Sequence, residues 1–238
     1  QIFECNFNRF SKLAISNLPN LKQIHLIYNQ LKSLEVNNLP NLFSLGCGGN
    51  ELSELKIEDF PKLFILTCSN NKIKNLSLAN IGNLEVLVCN NNEIENINLQ
   101  YFPKLHYIDC HYNNIKFLDL QNNPKLKDLN CYGNELENID LEHVTQLTTL
   151  NCSYNYIKFL NLQNNLGLSN LNCSNNEINK LDLKNLSSLF SLNCSSNRIE
   201  NLELQFVTVM KKLSCSFNKM TELDLQYIPN LDSLDCSI

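Results

Sequence analysis

The stretch LKDLNCYGNEL (residues 126–136) recurs, with substitutions, at a fixed interval along the whole 238-residue chain. Its cysteine gives the register. Cys47, Cys68, Cys89, Cys110, Cys131, Cys152, Cys173, Cys194, Cys215 and Cys236 follow one another at 21-residue steps. Cys5 stands two steps before Cys47, and the position between them is Leu26. All eleven cysteines therefore share one phase, and its single exception is apolar. Three residues after that phase stands asparagine in every copy, from Asn8 through Asn134 and Asn155 to Asn218. Two residues before it is Leu or Ile, apart from Phe3, and five, eight and ten residues after it are apolar, as in Leu136, Ile139 and Leu141. The six prolines, among them Pro103 and Pro124, also keep one phase. Self-similarity at a fixed period of this length marks a repeat architecture.

In the copy at 150–153, Leu150 and Cys152 alternate with Asn151 and Ser153. This period-2 signal places the first pair on one face of a strand and the second pair on the other. One copy is too short to bury its own apolar face, whereas stacked copies bury a continuous column. The expected fold is a right-handed parallel β-coil in which about twelve strands, roughly 4.8 Å apart, form a sheet on the order of 55 Å long. The return segment, about ten residues with a recurrent proline, is too short for a stable helix. It is expected to hold extended or one-turn 3₁₀ segments, with a short second strand at LDL (118–120, 181–183 and 223–225). A thin back of this kind makes a nearly straight rod.

The cysteine occupies the inward position that Leu26 also fills, so it reads as a small core hydrophobe. A straight ladder offers neither the dihedral that disulfides need nor the converging directions that zinc needs. The invariant asparagine reads as a bridge between turns, since its amide both donates and accepts. The back carries an acidic row, Asp119, Asp140, Asp182, Glu203 and Asp224, interrupted by Asn161. Without a calcium-loop motif, the row reads as a solvated face.

With these positions fixed, LKDLNCYGNEL (126–136) resembles the leucine-rich repeat consensus, with Cys131 at a leucine position and Asn134 at the asparagine position. The likeness covers the whole chain. The 21-residue period, with a second L-x-L in LENIDL (136–141), resembles the short bacterial class known as IRREKO. Cysteine-bearing, asparagine-rich versions are similar to surface or secreted proteins of Bacteroidetes and flavobacteria. The resemblance implies a leucine-rich repeat solenoid that binds protein or glycan partners without catalysis, extracellular or at the cell surface. Residues 1–238 then form a single array of about eleven repeats, cut within a repeat at both ends and without caps. End-to-end self-association through the uncapped turns is a corollary.

The chain has 19 basic and 24 acidic residues, a formal net charge of −5. That mild acidity speaks against a nucleic-acid partner. No run of about eighteen apolar residues is present to span a membrane. Metalloprotease, P-loop, nucleophile-elbow and dinucleotide motifs are missing, so no catalytic residue, metal ligand or cofactor is assigned. The eleven cysteines would also suit a cytoplasmic effector module, and a structural spacer is a further alternative.

The outward strand positions form the expected binding face. In the middle turns they include Tyr107, Asp109, His111, Tyr112, Asp128, Tyr132, Tyr154 and Tyr156, whereas Asn172, Ser174, Asn193 and Ser195 dominate later turns. Earlier turns offer His25, Tyr28 and a bare patch at Gly46, Gly48 and Gly49. Tyrosine combines apolar area with a polar tip and is enriched at binding hot spots. Tyr107, Asp109, His111, Tyr112, Tyr132, Tyr154 and Tyr156 are therefore the candidate ligand-binding residues.

Overall fold

A computed structural model describes residues 1–237. Twelve strands of three residues each, from Ile2–Glu4 to Ser233–Asp235, form one parallel sheet. Each strand pairs with the next at an offset of one repeat: Tyr107 lies beside Val86 on one side and Asp128 on the other. Stacked turns of equal length keep the offset constant, because any slip would exchange the buried and exposed faces. No helix occurs among the described residues. The sequence-based expectation of a parallel β-solenoid holds.

The core is a set of columns running the length of the stack. Leu45, Leu66, Leu87 and Ile108 on the strands are fully buried, as are Cys47, Cys68, Cys89 and Cys110 just beyond them. Leu26 sits in the cysteine column and is buried in the same way. Every cysteine is a free thiol. The nine members from Cys47 to Cys215 are buried, while Cys5 is half-buried and Cys236 exposed, since each end turn has a neighbour on one side only.

The asparagine column ties the turns together. Asn134 Nδ2 donates to the carbonyl of Cys110 in the preceding turn at 3.0 Å and to that of Cys131 in its own at 3.1 Å. Its Oδ1 accepts the Ile115 N–H at 3.0 Å. The same three bonds recur at Asn113 and Asn155. One side chain thus satisfies backbone groups that the bend leaves without partners.

The return segments depart from expectation. Second strands occur at Lys12–Ser16, Ser33–Asn37, Glu54–Glu58 and Asn75–Ala79, in the first four turns, and none forms at 118–120, 181–183 or 223–225. The aspartates of the acidic row, though not Glu203, account for the difference. Asp119 Oδ1 accepts the N–H of Gln121 at 3.0 Å, and Asp140, Asp182 and Asp224 accept likewise from Glu142, Lys184 and Gln226. Asn98 and Asn161 do the same. This side-chain turn occupies a backbone donor and bends the chain, so extended pairing is lost. The first four turns carry Ala14, Glu35, Lys56 and Ser77 at that position, where no aspartate or asparagine competes, and their backbones pair as strands.

Candidate functional site

The candidate residues fall on five different columns. Tyr107 and Asp109 lie on the strand Tyr107–Asp109, facing outward on either side of the buried Ile108. His111 and Tyr132 lie one residue past the buried cysteine, on the continuation of that face. Tyr112 and Tyr154 lie one residue further, in tight turns with φ of 50° and 52°. They project from the edge where the strand turns, not from the sheet. Tyr156 lies two residues further still, in the column of Glu135 and Glu177. Those two pair with lysine or arginine of neighbouring turns, Lys116 and Arg198. Tyr156 joins no aromatic contact among the described residues.

Four of the seven form one aromatic cluster. The Tyr112 and Tyr132 rings meet edge to face at 4.7 Å, and Tyr132 and Tyr154 at 5.2 Å. His111 packs edge-on against Tyr112 at 5.4 Å. The Tyr112 and Tyr132 hydroxyls share a hydrogen bond of 2.5 Å. That bond, with lesser help from desolvation, pushes the Tyr132 hydroxyl up to about 12. Burial, and then the charges of Asp109 and Asp128, also raise Tyr107 above its usual range. These phenols are donors at neutral pH and not anions.

A line of hydrogen bonds runs across four turns beneath the cluster. His111 Nδ1 lies 2.6 Å from Asp109 Oδ1, and Asn130 Nδ2 donates to the same carboxylate oxygen at 3.0 Å. Asn90 Nδ2 lies 3.4 Å from His111 Nε2, and the Ser69 hydroxyl donates to Asn90 Oδ1 at 2.6 Å. With the Nδ1 proton given to Asp109, Nε2 accepts from Asn90. Both ring nitrogens then have a partner, and the two contacts orient the imidazole.

The buried thiols are held in their protonated form. Burial pushes Cys47, Cys110 and Cys152 up to about 12 and Cys215 to about 11. Thiolate is the reactive form, so these groups are inert at neutral pH. Among the described residues no three His, Cys, Asp or Glu side chains converge as a metal site.

The structure adds an apolar strip that the sequence reading passed over. Ile65, Val86 and Val88 point outward on the two strands preceding Tyr107, and the Phe43 and Phe64 rings stack beside them at 5.0 Å and 9°. The signal was present in FILTC (64–68) and EVLVC (85–89), where apolar residues fill both phases of the alternation. Towards the other end, Asn151 and Asn172 accept from Ser153 and Ser174 within their own turns, at 2.6 and 2.8 Å. Their carboxamide oxygens are thereby already engaged.

No protein-family model matches the sequence, and no curated protein does. Among solved structures, the functional domain of InlJ from Listeria monocytogenes, described as including a cysteine ladder, is 30% identical with a TM-score of 0.92. The match covers 99% of this chain and 53% of that one. YopM from Yersinia enterocolitica is 26% identical with a TM-score of 0.83, over 96% of this chain and 48% of YopM. The chain thus spans about half the length of each. An internalin of L. monocytogenes, inlF, shares the fold with a TM-score of 0.76 at 24% identity, over 96% of this chain and 87% of that one. The chain has the leucine-rich repeat fold of these proteins.

Proposed function

We propose that this leucine-rich repeat solenoid is a non-catalytic binding module that seats a protein partner on its sheet face. The observation that carries the reading is the continuity of the apolar strip Phe43–Phe64–Ile65–Val86–Val88 with Tyr107 and the His111–Asp109 pair. Outward apolar residues on adjacent strands lower solubility unless another surface covers them. An apolar centre beside oriented tyrosine and histidine groups has the anatomy of an interface hot spot. The likeness to InlJ and YopM in fold supports a place among bacterial repeat modules of the short class. An extracellular or surface location fits the buried ladder, because burial shields thiols from oxidation. Among the described residues no helix is long and apolar enough to cross a membrane.

The test is a binding screen of the folded chain against a panel of purified extracellular proteins, followed by variants. Val88→Lys and Tyr107→Ala are each expected to weaken the partner found at least tenfold, about 1.4 kcal/mol. Asn172→Ala is expected to change affinity less than twofold. Partner binding that survives Val88→Lys, or that maps to the Asp119–Asp140 side, rejects the sheet face and leaves the solenoid as a spacer.

A further inference from the structure

The residue two past the cysteine phase has positive φ, between 50° and 67°, in all eleven turns from Phe7 to Phe217. Glycine adopts this left-handed conformation freely and asparagine tolerates it, while a bulky aromatic residue carries a backbone cost there. Four turns use Asn or Ser and two use Gly, as that argument expects. The other five use Phe or Tyr: Phe7, Tyr28, Tyr112, Tyr154 and Phe217. Phe7 stacks on Tyr28 at 5.3 Å, and Tyr112 and Tyr154 pack on Tyr132, yet the five rings stay 49 to 77% exposed, so contacts within the chain cover only part of each. Strained positions of this kind gather where a ligand is met.

The two glycines of the column are placed to serve the tyrosines. Gly49 follows Tyr28 by one turn, and Gly133 follows Tyr112 by one turn. A Cβ on Gly49 would lie 2.6 Å from Tyr28 Cδ1, and one on Gly133 would lie 2.9 Å from Tyr112 Cδ1. Each tyrosine ring therefore lies down across the bare turn that follows it. The same Tyr-over-Gly unit occurs twice, four repeat steps apart, or about 19 Å along the stack at roughly 4.8 Å per turn. Between the two units, the column holds Asn70 and Asn91. Their side-chain amides make no hydrogen bond among the described residues, although their backbones are paired. No member of the column is charged, and the adjoining position, from Asn6 to Ser237, holds no Asp, Glu, Lys or Arg.

We propose that this turn edge is a second binding site, separate from the sheet face, and that it takes a neutral linear polysaccharide lying parallel to the solenoid axis. A sugar ring presents C–H groups on its face and hydroxyls on its rim. The electron-rich face of a tyrosine attracts the former. A carboxamide, with two donors and an acceptor, satisfies adjacent hydroxyls. The edge supplies these in order: a ring laid over its glycine, two free amides, and a second ring laid over its glycine. The uncharged column suits a chain without carboxylate or sulfate. The turn spacing is close to the repeat of an extended β-linked hexose chain, so contact persists from Tyr28 to Tyr112 without loss of register.

The test uses the whole chain and isothermal titration with neutral β-linked hexasaccharides of glucose, mannose and N-acetylglucosamine, each beside its disaccharide. At least one hexasaccharide is expected to bind ten times more tightly than its disaccharide, because only the longer chain reaches both tyrosines. Tyr28→Asn and Tyr112→Asn place in these turns the residue that Asn70 and Asn91 already provide, so the fold is preserved. Each is expected to lower hexasaccharide affinity at least tenfold while leaving thermal stability unchanged or higher. Val88→Lys is expected to leave sugar binding intact, which separates this site from the sheet face. The proposal is overturned if none of the hexasaccharides binds, if di- and hexasaccharide bind alike, or if Tyr28→Asn lowers stability without lowering affinity. It is likewise overturned if a protein ligand and no sugar proves to need Tyr28.

Discussion

The cysteine ladder makes the stability of this protein steeply dependent on alkaline pH. Nine thiols, Cys47 to Cys215, are buried. Their ordinary value of 9.0 is raised by burial to about 12 at Cys47, Cys110 and Cys152. Between those two values the native chain keeps protons that the unfolded chain has released. The stabilisation is therefore complete below about pH 9 and is lost as pH rises from 9 towards 12. At about pH 10 Cys47, Cys110 and Cys152 each contribute roughly 1.4 kcal/mol of loss, about 4 kcal/mol together, and the other buried thiols, raised in the same direction by burial, add to it. That is already a large share of the stability of a typical domain, on the order of 5–15 kcal/mol. Urea unfolding, followed by far-ultraviolet circular dichroism under reducing conditions, is expected to show the midpoint falling sharply between about pH 8 and pH 10. A single variant separates the thiols from the lysines that titrate nearby. Cys152→Ala is expected to cost about 1–2 kcal/mol at neutral pH through lost contacts. At about pH 10 it also removes one titrating thiol, worth roughly 1.4 kcal/mol, so its net cost should fall close to zero. An equal cost at both pH values, or a wild-type midpoint that does not move, would refute the reasoning.

Asn134→Ala removes the acceptor of the Ile115 N–H and the donor to two cysteine carbonyls, and is expected to cost about 3 kcal/mol, read as a lower urea midpoint; a neutral effect would mean that these bonds are replaced by water. Tyr112→Phe removes the hydroxyl that raises Tyr132 to about 12, so ultraviolet titration should show Tyr132 ionising nearer the ordinary 10.0. No change in that titration would show that the two hydroxyls are not bonded in solution.

The inside and outside of the solenoid were legible in the residues alone. A strict period of 21 and a period-2 alternation assign every strand side chain to one face, and neither needs knowledge of what lies opposite. Leu26 in the cysteine phase already marked that column as core, and the structure buries it with the thiols. The invariant asparagine was likewise read as a bridge between turns, because only a side chain with both donor and acceptor answers a backbone that bends at every repeat.

The edges of each turn were decided in three dimensions. The expected second strands at LDL fail because an aspartate two residues upstream of a backbone N–H captures it, a local competition that the apolar pattern does not express. Tyr112, Tyr154 and Tyr156 share a residue type and lie close in sequence, yet the left-handed turn sends the first two to the edge and Tyr156 to the ion-paired flank. The strip at Ile65, Val86 and Val88 breaks the alternation, because apolar residues stand in both phases there and the pattern no longer separates core from surface. The reason is common to all three. Alternation fixes which way a side chain points along a strand, whereas the company it keeps is set by residues 21 positions away, brought alongside only when the turns stack.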